Sequence, residues 1–287
     1  MQVKIYHTVE NFLQENETVL LEKESVSQLI LFNAMANRDL QTNQSMIFGR
    51  VADEFHHPFV LFANVLPFNL LIHWISDTVI KEAISPIVDY IIDNNIQIKG
   101  INGNKAICDL FISEYKQKRP ESEFKIRLAM DIMELRTLKD IDLVKGITRK
   151  ANSTEVNQIA KWMVEFAKEA LGEEILYEDQ IPKAARMIEN GRLYTFEKPD
   201  GEIVSMAAAS RQLVNGICVN YVYTPKDFRN KGYAATTMYC LSKEMLSNGN
   251  QFCALFVDKM NPVSNRVYSK IGYEIKENQY DMRLIRN

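Results

Sequence analysis

Residues 222–245 read VYTPKDFRNKGYAATTMYCLSKEM and change character midway. The first residues favour a strand, Pro225 interrupts it, a basic run with one glycine follows, and from Gly232 onward the pattern is helical. A strand that turns into a helix through Arg229, Asn230, Lys231 and Gly232 has a chemical use. The first N–H groups of a helix lack internal partners and carry the positive end of its dipole, so an oxyanion placed there accepts several hydrogen bonds. Gly232 has no Cβ and Ala234 only a methyl group, so a bulky anion can reach the backbone. Arg229 and Lys231 add positive charge. The stretch suits a phosphate or pyrophosphate; a glycine-capped loop with two solvated bases is the plainer reading of the same residues.

A second stretch bears on that choice. Residues 258–274 read DKMNPVSNRVYSKIGYE, with Pro262 placed for the first turn of a helix. Asn261, Ser264 and Tyr268 fall on one face of that helix, and Val263, Val267 and Ile271 on the neighbouring apolar face. An apolar stripe is expected wherever a helix meets a core. A polar stripe ending in a tyrosine suits a cleft, and equally a tyrosine at the core's edge with a wet hydroxyl.

Working outward, residues 8–37 read as helix with a break near 22–25, followed by strands at 45–51, 59–64 and 70–75. Ser76-Asp77 resembles a cap for a helix over 77–93. A strand at 96–101, a turn at Asn102-Gly103, a helix at 104–117 and a long strand at 124–138 close the first half. The second half reads as a short strand at 146–149, helices from Ser153 and over 178–190, and strands at 192–197, 202–211 and 217–224. Helix 232–248, strand 252–257, helix 262–270 and strand 279–285 complete it. Each half thus runs through helices, a small meander, a helix, a strand, a helix and a last strand. The expectation is an internal duplication, α+β, with domains at 1–138 and 139–287.

Composition narrows the classes. Of 287 residues, 46% are hydrophobic and 25% charged, and the net charge is −3, which suits a globular protein and gives no footprint of a nucleic-acid binder. No apolar run has the length of a membrane span, and the N-terminal residues are polar and acidic, so the expectation is a cytoplasmic protein without a membrane partner. Cys108, Cys218, Cys240 and Cys253 form no CxxC pair, and His56-His57 precedes Pro58 in a loop pattern, so no metal site is expected.

Arg229-x-x-Gly232-x-Ala234 resembles the acyl-CoA pyrophosphate loop of the GNAT superfamily of N-acetyltransferases. Asn261-x-x-Ser264-x-x-x-Tyr268-x-Lys270-x-Gly272-Tyr273 resembles that family's later helix. The two stand on the expected elements at the expected separation. The likeness covers 140–287 through its motifs and 1–138 only through element order, so it implies two GNAT-like domains, each a mixed, mostly antiparallel sheet flanked by helices, the first copy degenerate. It also implies acetyl-CoA as cosubstrate, no metal, and a primary amine as acceptor. Backbone groups of Val222, Tyr223 and Thr224 would hold the pantetheine arm. The N–H groups of Asn230, Lys231, Gly232, Tyr233 and Ala234, beside Arg229, would cradle the pyrophosphate. Asn261 and Ser264 would face the cofactor, and Tyr268 would protonate the departing thiolate.

Two departures from the family pattern stand out. Strand 217–224 carries no carboxylate to take the amine's proton, and strand 70–75 runs into Ser76-Asp77 with no Arg-x-x-Gly-x-Ala loop. A non-catalytic acyl-CoA-binding sensor or scaffold is therefore a second reading. A transferase using charged transfer RNA is a third, opposed by the intact loop and the negative charge. Residues 165–179 hold Glu165, Glu169, Glu173, Glu174, Glu178 and Asp179 against Lys168 alone, either a solvated acidic helix end or a field that draws a cationic acceptor.

Overall fold

A computed structural model describes residues 1–75 and 80–286. Two compact units divide the chain, one made of residues 1–131 and 276–287, the other of residues 132–275.

In the first unit the order is β1 (Gln2–Ile5), α1 (Val9–Glu22), α2 (Glu24–Ala36), β2 (Met46–Ala52), β3 (Pro58–Val65), β4 (Leu70–Trp74), α3 (Lys81–Asp93), β5 (Gly100–Gly103), α4 (Lys105–Lys118) and β6 (Glu123–Leu135), whose last residues pass into the second unit. Strands β1 to β4 pair antiparallel and β4 pairs β5 in parallel. Both sheet faces are covered, so alternate residues serve different cores. Val60 and Phe62 of β3 join Ile84, Ile87 and Phe111 of α3 and α4, while Leu61 and Ala63 join Phe12, Leu13 and Leu31 of α1 and α2. Thr8 caps α1 by accepting from the Asn11 N–H at 3.2 Å, and Asn104 caps α4 by accepting from the Ile107 N–H at 3.0 Å.

The second unit repeats the plan with β7 (Ile147–Lys150), α5 (Val156–Phe166), α6 (Tyr177–Glu189), β8 (Leu193–Glu197), β9 (Ile203–Gln212), β10 (Gly216–Tyr223), α7 (Tyr233–Ser247), β11 (Phe252–Asp258) and α8 (Pro262–Ile271). Strands β7 to β10 are antiparallel and β10 runs parallel to β11. Helices α5 and α6 cover one face with Ile159, Trp162, Met163 and Ala184; α7 and α8 cover the other with Met238, Leu241, Tyr268 and Ile271. A π-helical turn, Ala167–Leu171, extends α5 and ends at Gly172. The α+β expectation of mixed, mostly antiparallel strands flanked by helices holds in each unit.

The division differs from the expected break at 138/139. The chain's last strand, β12 (Glu274–Arg286), lies almost wholly in the first unit, where Tyr280 to Arg283 pair antiparallel with Gly103 to Gly100 of β5. Met133 and Leu135, at the end of β6, are buried instead in the α7 and α8 core of the second unit. The second half's closing strand thus belongs to the first unit, and the last four residues of β6 belong to the second. The same pairing corrects the turn expected at Asn102-Gly103: these residues are in β5, because ladder bonds to Asp281 and Tyr280 override local turn chemistry. Helix α3 starts at Lys81, and the Ser76-Asp77 cap lies outside the described residues.

Removing residues 276–287 would strip β5 of its antiparallel neighbour. We expect the first unit's melting transition, followed through Trp74, to fall by about 10 °C or more, since each kcal/mol lost moves a unit of this size roughly 2–4 °C. The transition followed through Trp162 of the second unit should change far less. A truncated chain whose Trp74 transition matches the intact protein would show β12 to be dispensable.

Candidate active site

The site is built where β10 leaves its neighbours. Pairing with β11 stops after Gly216↔Phe252, Ile217↔Cys253 and Cys218↔Ala254, while the ladder to β9 breaks between Cys218 and Val219 and again between Asn220 and Tyr223. At the break Tyr221 has φ +51°, and its N–H donates to the Asn220 side chain at 2.7 Å. A bulge of this kind withdraws residues from the ladder and redirects the strand, and a tyrosine held at positive φ is strained. Val222 lies in the interrupted stretch. Tyr223 and Thr224 follow it with their carbonyls already accepting, from the Ser205 hydroxyl at 3.3 Å and from Arg229 Nε at 2.8 Å.

The loop from Thr224 to Gly232 then turns the chain into α7. Asn230 has φ +60° and Gly232, the residue before the helix, φ +82°. Left-handed residues alternating along a turn gather successive N–H groups into an anion-binding concavity. Among the described residues no backbone carbonyl accepts from Asn230, Lys231 or Gly232, and the N–H groups of Tyr233 and Ala234 open the helix, where none has an internal partner. Gly232 is needed on two counts. Its φ disfavours any Cβ, and a Cβ there would stand 2.8 Å from Val144 Cγ2. Lys231 folds back, its Nζ donating to the Asp227 carbonyl at 2.9 Å, and Tyr233 packs its ring on Phe196 at 5.3 Å.

Arg229 does not extend into solvent. Its Nη2 lies 2.6 Å from Glu169 Oε2, and its guanidinium sits 5.7 Å over the Tyr223 ring. The Tyr223 hydroxyl donates to Glu165 at 2.8 Å, and Lys226 stands 3.9 Å from Glu169. Burial and the two carboxylates together raise the Tyr223 phenol well above its usual range. Two of the six acids in 165–179 thus serve the loop, so the free field expected from that segment is smaller than its composition suggests. The signal was present in the sequence: Glu165 and Glu169 are one helical turn apart and share a face.

On α8, Asn261 accepts from the Ser264 N–H at 3.0 Å and so caps the helix. Ser264 is half-buried and Asn261 exposed. Val263 is exposed rather than part of the apolar stripe, because the first turn of α8 projects beyond the core that Val267 and Ile271 reach. Tyr268 is buried in the cluster that also holds Val219, Leu255 and Val257 and that Val222 packs against. Its ring lies 5.9 Å from Tyr273, and among the described residues nothing bonds its hydroxyl. Burial alone pushes its phenol up, so it keeps its proton through the neutral and moderately alkaline range. The four cysteines are free, three of them buried, and no group of side chains among the described residues is arranged to hold a metal ion.

The comparisons agree with this geometry. The family model described as FR47-like protein matches residues 199–282, from the end of the β8–β9 turn into β12. No curated protein matches the chain. Among solved structures, a Drosophila protein superposes with a TM-score of 0.64 at 11% identity, covering 99% of this chain and 98% of that one. A GCN5-related N-acetyltransferase from Sphaerobacter thermophilus gives 0.62 at 12% identity over 99% and 96%. A GNAT-family acetyltransferase from Colwellia psychrerythraea gives 0.54 at 10% identity over 99% of both chains. The chain therefore shares the fold of these GNAT acetyltransferases. The likeness spans both halves, as a tandem arrangement requires.

Gly232→Val should weaken binding of CoA by at least about tenfold, or roughly 1.4 kcal/mol, by straining the left-handed turn and displacing the N–H groups. Calorimetry on a variant whose circular dichroism is native is the measurement. Unaltered affinity would remove the cradle from Gly232's neighbourhood.

Proposed function

We propose that the second unit is an N-acetyltransferase that moves an acetyl group from acetyl-CoA to a primary amine. The observation that carries this reading is the pairing of an open N–H cradle at residues 230–234 with a buried phenol, Tyr268, that faces no competing hydrogen-bond partner. Acetyl-CoA supplies the thioester. The N–H groups of residues 230–234 would hold its pyrophosphate, and the β10 backbone at Val222, Tyr223 and Thr224 would hold the arm, with Asn261 and Ser264 beside it. Tyr268 would give its proton to the sulfur as the carbon–sulfur bond breaks. Burial keeps this phenol protonated, so it is present as the donor at every pH where the amine is neutral enough to attack, and the same burial raises the basicity of a thiolate leaving beside it. Strand β10 offers no carboxylate, so the proton lost by the amine goes to water or to a carboxylate from another element. Glu165, bound to Tyr223, is the carboxylate the fold sets against β10.

The same lack of a strand carboxylate favours a second reading, a protein that binds acyl-CoA without turnover. Thiol release from acetyl-CoA, assayed against a panel of cationic, neutral and anionic amines, separates the two. We expect turnover, with cationic amines preferred because Glu173 and Glu174 lie in the connection before α6 and Glu178 and Asp179 in its first turn. Tyr268→Phe should lower kcat on the order of 10²-fold with little change in CoA affinity. CoA binding without release for any amine would favour the second reading, and full turnover by Tyr268→Phe would make that residue structural.

The first unit should bind no CoA. Six residues, 75–80, join β4 to α3, against nine, 224–232, between β10 and α7, and the shorter connection has no Arg-x-x-Gly-x-Ala sequence. A crystal soaked in acetyl-CoA should show one molecule per chain, beside β10; density for a second beside β4 would contradict this assignment.

A further inference from the structure

The first unit has its own opening. Strands β4 and β5 pair in parallel only at Leu70↔Ile101 and Leu71↔Asn102. Beyond that point a cavity of about 30 Å³ lies among α2, β4, β5 and β12, room for roughly two water-sized groups. Aliphatic side chains of α2, β4 and α4 form part of its wall; its polar lining is His73, Trp74, Asn102, Asn104, Glu277 and Gln279, with Ser27, whose hydroxyl is already given to the Leu20 carbonyl. Three features set it apart from a packing defect. Among the described residues the buried Trp74 indole N–H has no hydrogen-bond partner, an unfavourable state for a buried donor. His73 is nine-tenths buried and no described residue bonds its ring. Burial, with Lys23 nearby, lowers its pKa to about 4, so it is neutral and keeps a lone pair. Glu277 is the one formally charged residue in the lining.

We propose that this cavity is a binding site separate from the acetyl-transfer site, and that it takes the ammonium head of a small primary amine. The acceptors match the three N–H bonds of such a head. Glu277 supplies a carboxylate, of which Oε1 already accepts from Asn278. Gln279 donates its amide to Asn102, which leaves its carbonyl oxygen as an acceptor. The neutral His73 supplies a ring nitrogen. An anion would meet the Glu277 carboxylate, and among the described residues the lining holds no lysine or arginine, Lys23 acting on His73 from outside it. An indole beside the cavity also favours a cation. The site is assembled by the chain's last strand, since both Glu277 and Gln279 come from β12.

The chain has two tryptophans, so Trp162→Phe leaves Trp74 as the single reporter. We would titrate that chain at neutral pH with methylammonium and ethanolamine, with acetate and acetamide as anionic and neutral probes. Saturable change in Trp74 fluorescence with the amines alone is the expected result. Glu277→Gln should weaken it at least tenfold at an unchanged melting temperature. If that variant fails to fold, His73→Phe, which keeps a ring and removes the acceptor nitrogen, should have the same effect. The proposal is overturned by equal responses to acetate or acetamide, by no saturable response, which would mean a cavity that holds water only, or by folded variants with native affinity.

Discussion

The parting of β10 from β11 after Cys218 is the constraint on which the second unit's chemistry depends. Two parallel strands that stay paired leave no backbone for a ligand. Once pairing ends, the N–H and C=O groups on the facing edges need other partners. The bulge at Asn220 to Tyr223 turns β10 away at the same place, at the cost of a tyrosine in the left-handed region. The nine-residue connection that follows has to reverse the chain and start α7, and it does so through two further positive φ angles, at Asn230 and Gly232. Strain is therefore concentrated in about a dozen residues, and the rest of the unit, with its two covered sheet faces, is regular enough to hold them.

Arg229 shows how the loop keeps its shape. The Arg229–Glu169 pair is partly exposed on both sides, so it contributes little to stability, within about 1 kcal/mol. Its effect is geometric. The guanidinium is tied at Nε to the Thr224 carbonyl, at Nη2 to Glu169, and lies on the Tyr223 ring, so three separate contacts fix one side chain across the loop. The carboxylate arrives from the π-helical turn that extends α5. Such turns shift the face that a helix presents, which brings Glu169 to the loop one turn after Glu165 reaches the Tyr223 hydroxyl.

Sequence was most informative where local chemistry decides the structure. The run from Tyr223 to Ala234 places strand, loop and helix correctly, because a proline, a glycine and a change of hydrophobic period are local signals. The break between α1 and α2 and the strands of both meanders were legible for the same reason. What could not be read was set by distant partners. Nothing in Asn102-Gly103 distinguishes a turn from a strand; the distinction is made by Asp281 and Tyr280, some 180 residues away. Val263 follows the apolar spacing of α8 and is still exposed, since spacing shows a face but not where the core ends. The pairing of Glu169 with Arg229 was hidden in a segment whose composition suggested only an acidic surface.

The assignment of the last strand to the first unit was equally hidden, and β12 shows why it is nonetheless specified. Its residues 276–283 read KENQYDMR, and hydrophobic alternation there is too weak to say which core the strand faces. Yet Gln279 and Asp281 are buried in the first unit. Gln279 donates to Asn102, and Asp281 accepts from Arg127 at 2.6 Å and from Asn69 at 2.5 Å. A shift of one residue along β5 would turn both side chains to the opposite face and leave their partners unpaired. Burying a carboxylate costs free energy that its ion pair only partly offsets, so these contacts are a poor source of stability. They are a good source of register, because only one alignment of β12 satisfies all of them. An apolar strand could slide by two residues and still bury its side chains; this one cannot. The strand itself was legible at 279–285, but its place was not, and the polar composition that gave no hint of a partner is what assigns it a single place in the fold.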